Sequence, residues 1–568
     1  MTSTLANIDE LHAQCQEIRG WYHDLRRLPP HIRLWMNRED GSPGLVLKGR
    51  VPETAAGKFP WRKNQSQPGM LRLRLDHHLA RWLTSIPEDP EVKKNVVITV
   101  DHMGGAKRWS GLLKNWKVVT KGRIHYLEVT WVDDLQFLQF MLGPPNPALP
   151  IPVFQFPRVL PIFGPAKWAI SILILMNLIR LNGHPWTLPD DPFNVESWDD
   201  LFDWSDWQVL IKAKAFDLDD SSLWTILATR MNRMDMVIAD ALEDAQLTLT
   251  YRRILTVDGE TSPVEGVDEV ANGALVLEVV DNSGFYAADG TGTGGGIAGG
   301  LQRSIAMFLA GFVEDTRVLI TDDQQIYPDE YYQGHWLGTV PSRPWVVIRD
   351  GPYSQVETRE LTWAPATAVS VIVGGDNPLA DNLARLTIES IAALIGYFLL
   401  AGFSGLGSIV ADAVMPFLVG TIFAWLQWTN HSRAHNLGWV HLWEIYQQGA
   451  ENNSWSLSAI AALRAGFLAT RAETAHQFTI RFGGEYLPGL HFDIGHRIGS
   501  FASHVTDKLF VDQVEFMELS WDFGAGQTYG WTTTVGNAKA SMSMAERSAR
   551  LLNKALQTMQ NIGVHLIS

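Results

Sequence analysis

Apolar residues recur at helical spacing from the first turns of the chain. Ile8, Leu11, Cys15, Ile18 and Leu25 form one stripe, which predicts an amphipathic N-terminal helix with a buried thiol at Cys15. The period then changes. Residues 31–140 read as β-rich: NVVITV (95–100) is a strand by its β-branched content, and Leu127, Val129 and Trp131 alternate on one face of a hairpin turning about Lys121-Gly122. The proline-dense stretch 143–161 forbids a continuous helix or a central strand and predicts a boundary or strap. WAISILILMNLI (168–179) is too short to span a bilayer and predicts a buried helix. From Ser221 the stripe Leu223, Ile226, Leu227, Met231, Met234, Val237 and Ala241 predicts a further helix, capped by Ser221 or Ser222. LTLTY (247–251) returns to the strand period.

The second half repeats the alternation with a different texture. Residues 252–375 are β-rich around a glycine segment, DGTGTGGGIAGG (289–300). Two uncharged runs, 390–411 and 413–432, are each long enough to cross a hydrocarbon core, with Trp425 and Trp428 placed for its boundary. The alternative is a hairpin of buried helices, broken by several glycines and Pro416. FTIRF, LFVDQVEFMELSW and YGWTTTVG are strands near the C-terminus, and a capping box from Ser543 to Glu546 opens a last helix that stops at Gly563. The pattern divides the chain into 1–142 (helix and first β-rich domain), 143–161 (strap), 162–251 (helical), 252–375 (β-rich with the glycine insertion), 376–470 (apolar and helical) and 471–568 (second β-rich domain and helix). The fold class expected is α+β and multidomain, with β-rich blocks near the ends and a helical, glycine-rich apolar middle.

Composition narrows the function more than the fold. A chain of 568 residues is too long for one core. A net charge of −15 argues against a clamp on nucleic acid, which needs Lys and Arg to neutralise phosphates. With a single cysteine no intrachain disulfide exists. There is no basic segment followed by an apolar core at the start, so no secretory signal is expected and folding is placed in a cytoplasm. Twenty-three tryptophans suit interfaces, sugar-binding surfaces or membrane boundaries.

Candidate chemistry is sparse. Gly290, Gly292 and Gly295 satisfy the dinucleotide string, but DNSGFYAAD separates them from the preceding strand, and no P-loop is present. His431, His435 and His441 lack a carboxylate or cysteine to complete a metal set. His77-His78 and Asp101-His102 read as surface or strand polar residues. Ser404 misses the second glycine of a nucleophile elbow. Asp322-Asp323 and Asp329-Glu330 read as solvated turns. No catalytic, cofactor-binding or metal residue is assigned, and no cofactor is expected. The candidates that remain are mechanical: Gly292, Gly294, Gly295, Gly296, Phe308, Phe398, Leu399, Phe403, Phe417, Trp425 and Trp428, as channel-plug or membrane-active positions in segments that glycine leaves free to rearrange.

The order of segments carries a resemblance. WSGLLKNWKVVTKGRIHYLEVTWVDDLQFLQFMLGPPNPALP, the acidic and helical stretch from DDPFNVESWDDLFDW to MDMVIADAL, and YLPGLHFDIGHRIG with VEFMELSWDFGAGQTYGWTTTVGN resemble a family of minor tail proteins of long-tailed actinobacterial phages. The resemblance implies a tail-tip or baseplate hub with two related β-barrel-like domains and a homotrimeric ring. It also implies neighbours among distal tail, tape measure and other minor tail proteins; the two uncharged runs add an expected transient contact with the host membrane, and the negative charge an expected passage of DNA without specific binding. The place implied is the virion tail tip, after assembly in the host cytoplasm. Non-enzymatic closure of the tail tube and help in penetration and DNA ejection follow as expectations. The rival expectations are a tail-associated protein that binds or degrades envelope glycan and, more remotely, a host membrane protein with a helical hairpin.

Overall fold

The computed structural model describes residues 8–149, 151, 155, 160–182, 204–283, 285–287, 296–297, 299–300, 339–341, 343–351, 354–374, 425–447, 463, 466–467, 469–506 and 509–536. The chain forms two compact units. The larger comprises residues 1–301, 321–360 and 476–537, and the smaller 302–320, 361–475 and 538–568.

The larger unit is organised by one mostly antiparallel sheet. After helix α1 (Ile8–Arg27) come strands β1 (His31–Asn37), β2 (Leu45–Val51), β3 (Ala56–Arg62) and β4 (Pro68–Arg74). Helix α2 (His78–Ser85) and strands β5 (Val96–His102), β6 (Lys107–Lys121) and β7 (Ile124–Asp133) follow. In space the order runs β2-β1-β5-β6-β7-β4-β3 and then continues without a break into strands from the other end of the chain, Leu509–Asp522, Gln527–Gly536, Glu473–Arg481 and Val356–Ala364. Val346–Ile348 and Arg497–Phe501 attach beside Leu509–Asp522.

Local sequence accounts for the strands. β5 is a β-branched run and is buried along its whole length, as a strand covered on both faces should be. β7 alternates, with Leu127, Val129 and Trp131 fully buried, and the β6–β7 hairpin closes Lys121 against Ile124 with Gly122 at φ +64°, where glycine carries no Cβ penalty. The expected hairpin is in place.

The joint between the two ends is antiparallel from Phe516–Arg62 to Asp522–Ala56. It is packed with aromatic rings. Phe59 lies 5.1 Å from Trp109 and 5.8 Å from Trp521, and Trp61 stacks on Trp531 at 5.2 Å. Their polar edges are satisfied: the Trp109 indole donates to Pro60 O, Trp521 to Thr54 Oγ1, and Trp531 to His102 Nδ1. Gly57 faces Trp521 in register, and a Cβ on it would stand 2.2 Å from the ring.

This architecture corrects the expected fold class. The two β-rich ends are not separate β-barrel-like domains: they pair into one open sheet, and no closed barrel is found among the described residues. Nor do the described parts of the middle form a helical apolar block. Helix α3 (Ala166–Asn182) is buried, as WAISILILMNLI predicts, but it packs on a small sheet of Val209–Ile211, Leu275–Asp281 and Leu247–Arg253. The helix expected from Ser221 is first a strand, Trp224–Thr229, which pairs with Leu160–Pro165, and only Met234–Asp244 is helical (α4). Thr225, Ile226 and Thr229 are β-branched and suit that pairing, and the chain turns at Met231 with φ +63°. Ser222 does cap a helix, but a different one: its Oγ accepts from Lys167 N and Asp220 Oδ2 accepts from Trp168 N, at the start of α3.

In the smaller unit the described residues form a three-stranded sheet, with Ala368–Gly374 between Trp425–Thr429 and Leu442–Tyr446, and a short helix α5 (His431–Leu437). Val371, Val373, Leu463 and Phe467 make its core. Arg433 is buried there and is held by Ala368 O at 2.7 Å and Thr470 Oγ1 at 2.8 Å. Trp425 and Trp428 therefore lie on a strand, where a membrane-helix boundary was expected. Among the described residues no helix is long and apolar enough to cross a membrane. The rest of the uncharged runs, and the C-terminal helix expected at 543–563, lie outside the described residues. Cys15 is exposed, against the expectation of a buried thiol, because residues 10–21 of α1 are exposed throughout.

The tight Gly57–Trp521 pair gives the first test. Gly57→Ala is expected to cost about 1–3 kcal/mol of unfolding free energy, since the buried indole has nowhere to move. Gly20→Ala, on exposed α1 with nothing within 4 Å of the added carbon, is expected to cost nothing and to add up to about 1 kcal/mol of local helix stability. Urea unfolding followed by tryptophan fluorescence for the first variant, and hydrogen exchange of α1 for the second, measure both. Equal stability of Gly57→Ala and the parent would show that the joint is loosely packed.

Candidate functional site

Two places in the described structure concentrate groups that a partner or ligand could meet. The first is a cleft of about 300 Å³ in the larger unit, lined among others by Lys107, Arg108, Asp133, Tyr251, Arg252 and Asp493. Strands β6 and β7 supply one wall and Leu247–Arg253 another, so sheets fix the named side chains except Asp493, which lies on the segment before Arg497–Phe501.

The charges here answer one another. Asp101 on β5 accepts from Arg33 at 2.7 Å and from Arg108. Arg108 also reaches Glu260 at 2.8 Å and Arg253 O at 2.7 Å. Glu260 takes Arg252 at 2.7 Å. Arg253 grips the fully buried Asp134 through two bonds, at 2.6 and 2.7 Å. Lys107 pairs with Asp493, and Lys212 with Glu278 at 2.6 Å. The result is a clamp that ties residues 252–260 to the main sheet. Its ions are already partnered, so it holds no surplus charge for an anion or cation to collect.

Asp133 Oδ1 and the Tyr251 hydroxyl are among the buried polar atoms in this region without a hydrogen-bond partner. Asp133 is buried, and burial pushes its carboxyl up to about 7, although Gln67 N donates to its other oxygen at 2.9 Å. Tyr251 is likewise raised well above the ordinary tyrosine range by burial, with Asp133 and Asp134 nearby. His102, beneath Trp531, is lowered to about 4 by burial and stays neutral. Nothing in the cleft pairs a nucleophile with a base, and no cluster of metal-binding side chains occurs among the described residues.

The second place is on the smaller unit. Trp439 is 96% exposed and Trp443 78%, with Val440 and Leu442 exposed between them and Trp428 half-exposed on the opposite edge strand. Apolar side chains clustered this densely on a surface mark contact with something other than water. Sequence reading singled out Trp428 but missed Trp439 and Trp443. GWVHLW alternates too little to stand out, and its signal, four large apolar residues in six positions beside a helix stop at Gly438, becomes informative only once exposure is known.

Of the other expected positions, Gly296 is described, at φ +57°, with an added Cβ 2.8 Å from Leu218 O. The end of the glycine segment is thus seated on the larger unit: Trp224 donates to Ile297 O at 3.2 Å. Trp425 and Trp428 share one strand. Gly292, Gly294, Gly295, Phe308, Phe398, Leu399, Phe403 and Phe417 lie outside the described residues, as do Ser404, Asp322-Asp323 and Asp329-Glu330. His431 and His435 sit on α5 without forming a metal cluster with His441. Asp101 and His102 are buried, one in the clamp and the other in the aromatic joint. His77 caps α2 through Leu79 N.

Residues 32–537 match the model of the Siphovirus ReqiPepy6 Gp37-like proteins, and the chain belongs to that family. It is 28% identical to Minor tail protein Gp28 of Mycobacterium phage D29, over 92% of this chain and 93% of that protein. It is 29% identical to Minor tail protein Gp28 of Mycobacterium phage L5, over 84% and 86%. Among solved structures it is similar to a tail protein from Neisseria meningitidis MC58, with a TM-score of 0.38 and 8% identity, over 90% of this chain and 98% of that one. The chain is a minor tail protein of a siphovirus, a component of the virion tail.

The buried acid makes a pH prediction. An acid whose folded pKa is raised to about 7 destabilises the fold as pH rises from about 4 to 7, because the unfolded chain has already lost the proton that the folded chain keeps. His102, lowered to about 4, acts in the other direction: its contribution is complete above about 6.5 and is lost as pH falls to about 4. Asp133→Asn keeps the acceptor for Gln67 and removes the titration. The variant is expected to be more stable than the parent at pH 8 by something of the order of 2 kcal/mol, the difference vanishing near pH 4. Urea titrations at both values check it, and equal stability at pH 8 would contradict a costly burial of the charge.

Proposed function

We propose that the protein is a structural hub of the tail tip, which closes the end of the tail tube and, with its exposed aromatic edge, helps the tip engage the host envelope before DNA ejection. The observation that carries this reading is the division of the apolar surface. The smaller unit leaves Trp439 and Trp443 in solvent four residues apart on one short segment, whereas the larger unit encloses Trp35, Trp109, Trp131 and Trp521 and exposes rings such as Phe140, Phe216 and Trp345 only on separate segments. Membership in a minor tail family supports the place, and the net charge of −15 supports a wall past which DNA moves without adhering. The role is architectural, without catalysis. The partners are two further copies in a trimeric ring, the distal tail and tape measure proteins, other minor tail proteins and, transiently, the host membrane. Assembly takes place in the host cytoplasm.

Exposed tryptophan faces also stack on sugar rings, and Glu444 lies next to Trp443, which favours a second reading as an envelope-glycan contact. The same pair of substitutions separates the two readings. Trp439→Ser with Trp443→Ser is expected to leave virion assembly and tail length intact and to lower DNA ejection about tenfold or more, the effect of losing contacts worth about 1.4 kcal/mol in total. Loss of binding to lipid vesicles by the double variant supports the membrane reading, and loss of binding to cell-envelope polysaccharide alone supports the glycan one. Unchanged ejection, or labelled antibody decorating the tail shaft instead of its tip, would overturn the proposal.

A further inference from the structure

The cleft between β6, β7 and Leu247–Arg253 has its charges settled and its hydrogen bonds unfinished. Lys212 and Glu278, both partly exposed, pair at 2.6 Å at its rim. Deeper in, Lys107, Arg108 and Arg252 are each held by a carboxylate. Asp133 is 1% exposed, and neither its Oδ1 nor the Tyr251 hydroxyl has a partner, although both residues line the cleft. The Ser66 hydroxyl and the Ser110 backbone come near these atoms without making a bond. Buried polar groups in this state carry their full loss of hydration until something enters to meet them.

Three features define what fits. The paired ions offer no net attraction to a charged molecule, so the ligand is neutral. The unmet groups are of both senses: the Tyr251 O–H gives a hydrogen bond and Asp133 Oδ1 takes one. Burial pushes the Asp133 carboxyl up to about 7, so at neutral pH it also gives one, and a ligand hydroxyl answers either state. The remaining wall is apolar, with Leu135, Leu249, Val276 and Ile494 all buried. Water in the cleft meets the two polar groups but finds no partner along that wall, whereas the C–H face of a sugar ring covers it. The volume of about 300 Å³ stands at the lower end of the range for ligand clefts, which suits one ring.

We infer that this cleft binds one small, neutral, polyhydroxylated molecule of the size of a single sugar ring, with the Tyr251 hydroxyl and Asp133 Oδ1 bonded to its hydroxyls. The ring arrives either as a free sugar or as the terminal unit of a glycan. The site uses no residue of the 439–443 segment, so it stands or falls independently of the function proposed above.

Tyr251→Phe removes only the unpartnered hydroxyl, and Asp133→Asn keeps the acceptor for Gln67 while turning the free oxygen into a donor-only amide. Titration calorimetry of the full-length protein with glucose, galactose, mannose and N-acetylglucosamine in turn is expected to show saturable binding of at least one. Tyr251→Phe is expected to weaken that binding about tenfold or more, the effect of one lost buried hydrogen bond. Its unfolding midpoint is expected not to fall, because the hydroxyl has no partner in the free protein to lose. Asp133→Asn is expected to weaken binding as well, and Trp439→Ser with Trp443→Ser to leave it unchanged. Displacement of the bound sugar by cell-envelope polysaccharide assigns the ligand to a glycan terminus, and failure to displace it assigns a free sugar. No saturable binding of any of these sugars, or equal binding by Tyr251→Phe, shows that the cleft holds water only and overturns the inference. Loss of binding in the double tryptophan variant assigns the sugar to the smaller unit and overturns it too.

Discussion

The larger unit depends on the antiparallel pairing of β3 with Leu509–Asp522. Each partner is made by a different end of the chain, and neither would have a covered face without the other. Phe59 and Trp61 bring one set of rings to the joint, while Trp521 and Trp531 bring the other. Tilted and stacked aromatic pairs of this kind add about 0.5–1.5 kcal/mol each beyond simple burial. Their value here is also geometric: a planar indole fills the space over Gly57, and its N–H then finds a fixed acceptor at Thr54. A one-residue slip of register would turn these rings to the other face, so the aromatic set specifies the register as well as the stability.

The ionic clamp has a different task. Arg33, Asp101, Arg108 and Glu260 lie on or beside the sheet, and Arg253 and Asp134 fasten the Leu247–Arg253 strand to it. Buried pairs of this type contribute little net stability compared with well-packed apolar groups, because both ions lose their hydration. What they do impose is a single arrangement, since a displaced arginine would leave an uncompensated buried carboxylate. Asp133 and His102 sit within the same body with opposite pH responses, so the titration of one partly offsets that of the other between about pH 4 and 6.5.

Much of this was legible in the sequence wherever a local rule acts alone. The Gly122 turn, the alternation of Leu127, Val129 and Trp131, the buried apolar helix at 168–179 and the late strands at 473–536 all follow from period and turn chemistry. The failures occur where a distant segment decides. Leu223, Ile226 and Leu227 satisfy a helical stripe, but Leu160–Pro165 offers them a strand partner 60 or so residues away, and Ser222 caps a helix that precedes it in the chain. Strand counting found two β-rich ends and could not tell that they share one sheet, because register between blocks hundreds of residues apart leaves no periodic trace. The tryptophans misled for a related reason. Trp35, Trp109, Trp131 and Trp521 are core, so part of the abundance that pointed to surfaces reports a ring-filled interior.

The exposed remainder is then the more informative part. Apolar area left in water costs roughly 25 cal/mol for every Å² that could have been buried, so a chain that encloses so many rings has no general reason to expose others. It does so on α1 and on the 439–443 segment, which belong to different units, and at scattered positions such as Phe140, Phe216 and Trp345. The two surfaces differ in kind. The α1 stripe is narrow, recurs at helical spacing and runs at Tyr22 and Leu25 into the core of the larger unit. The 439–443 segment is broad and aperiodic, with rings presented nearly whole, which suits a soft or chemically varied surface such as a lipid headgroup layer or a glycan.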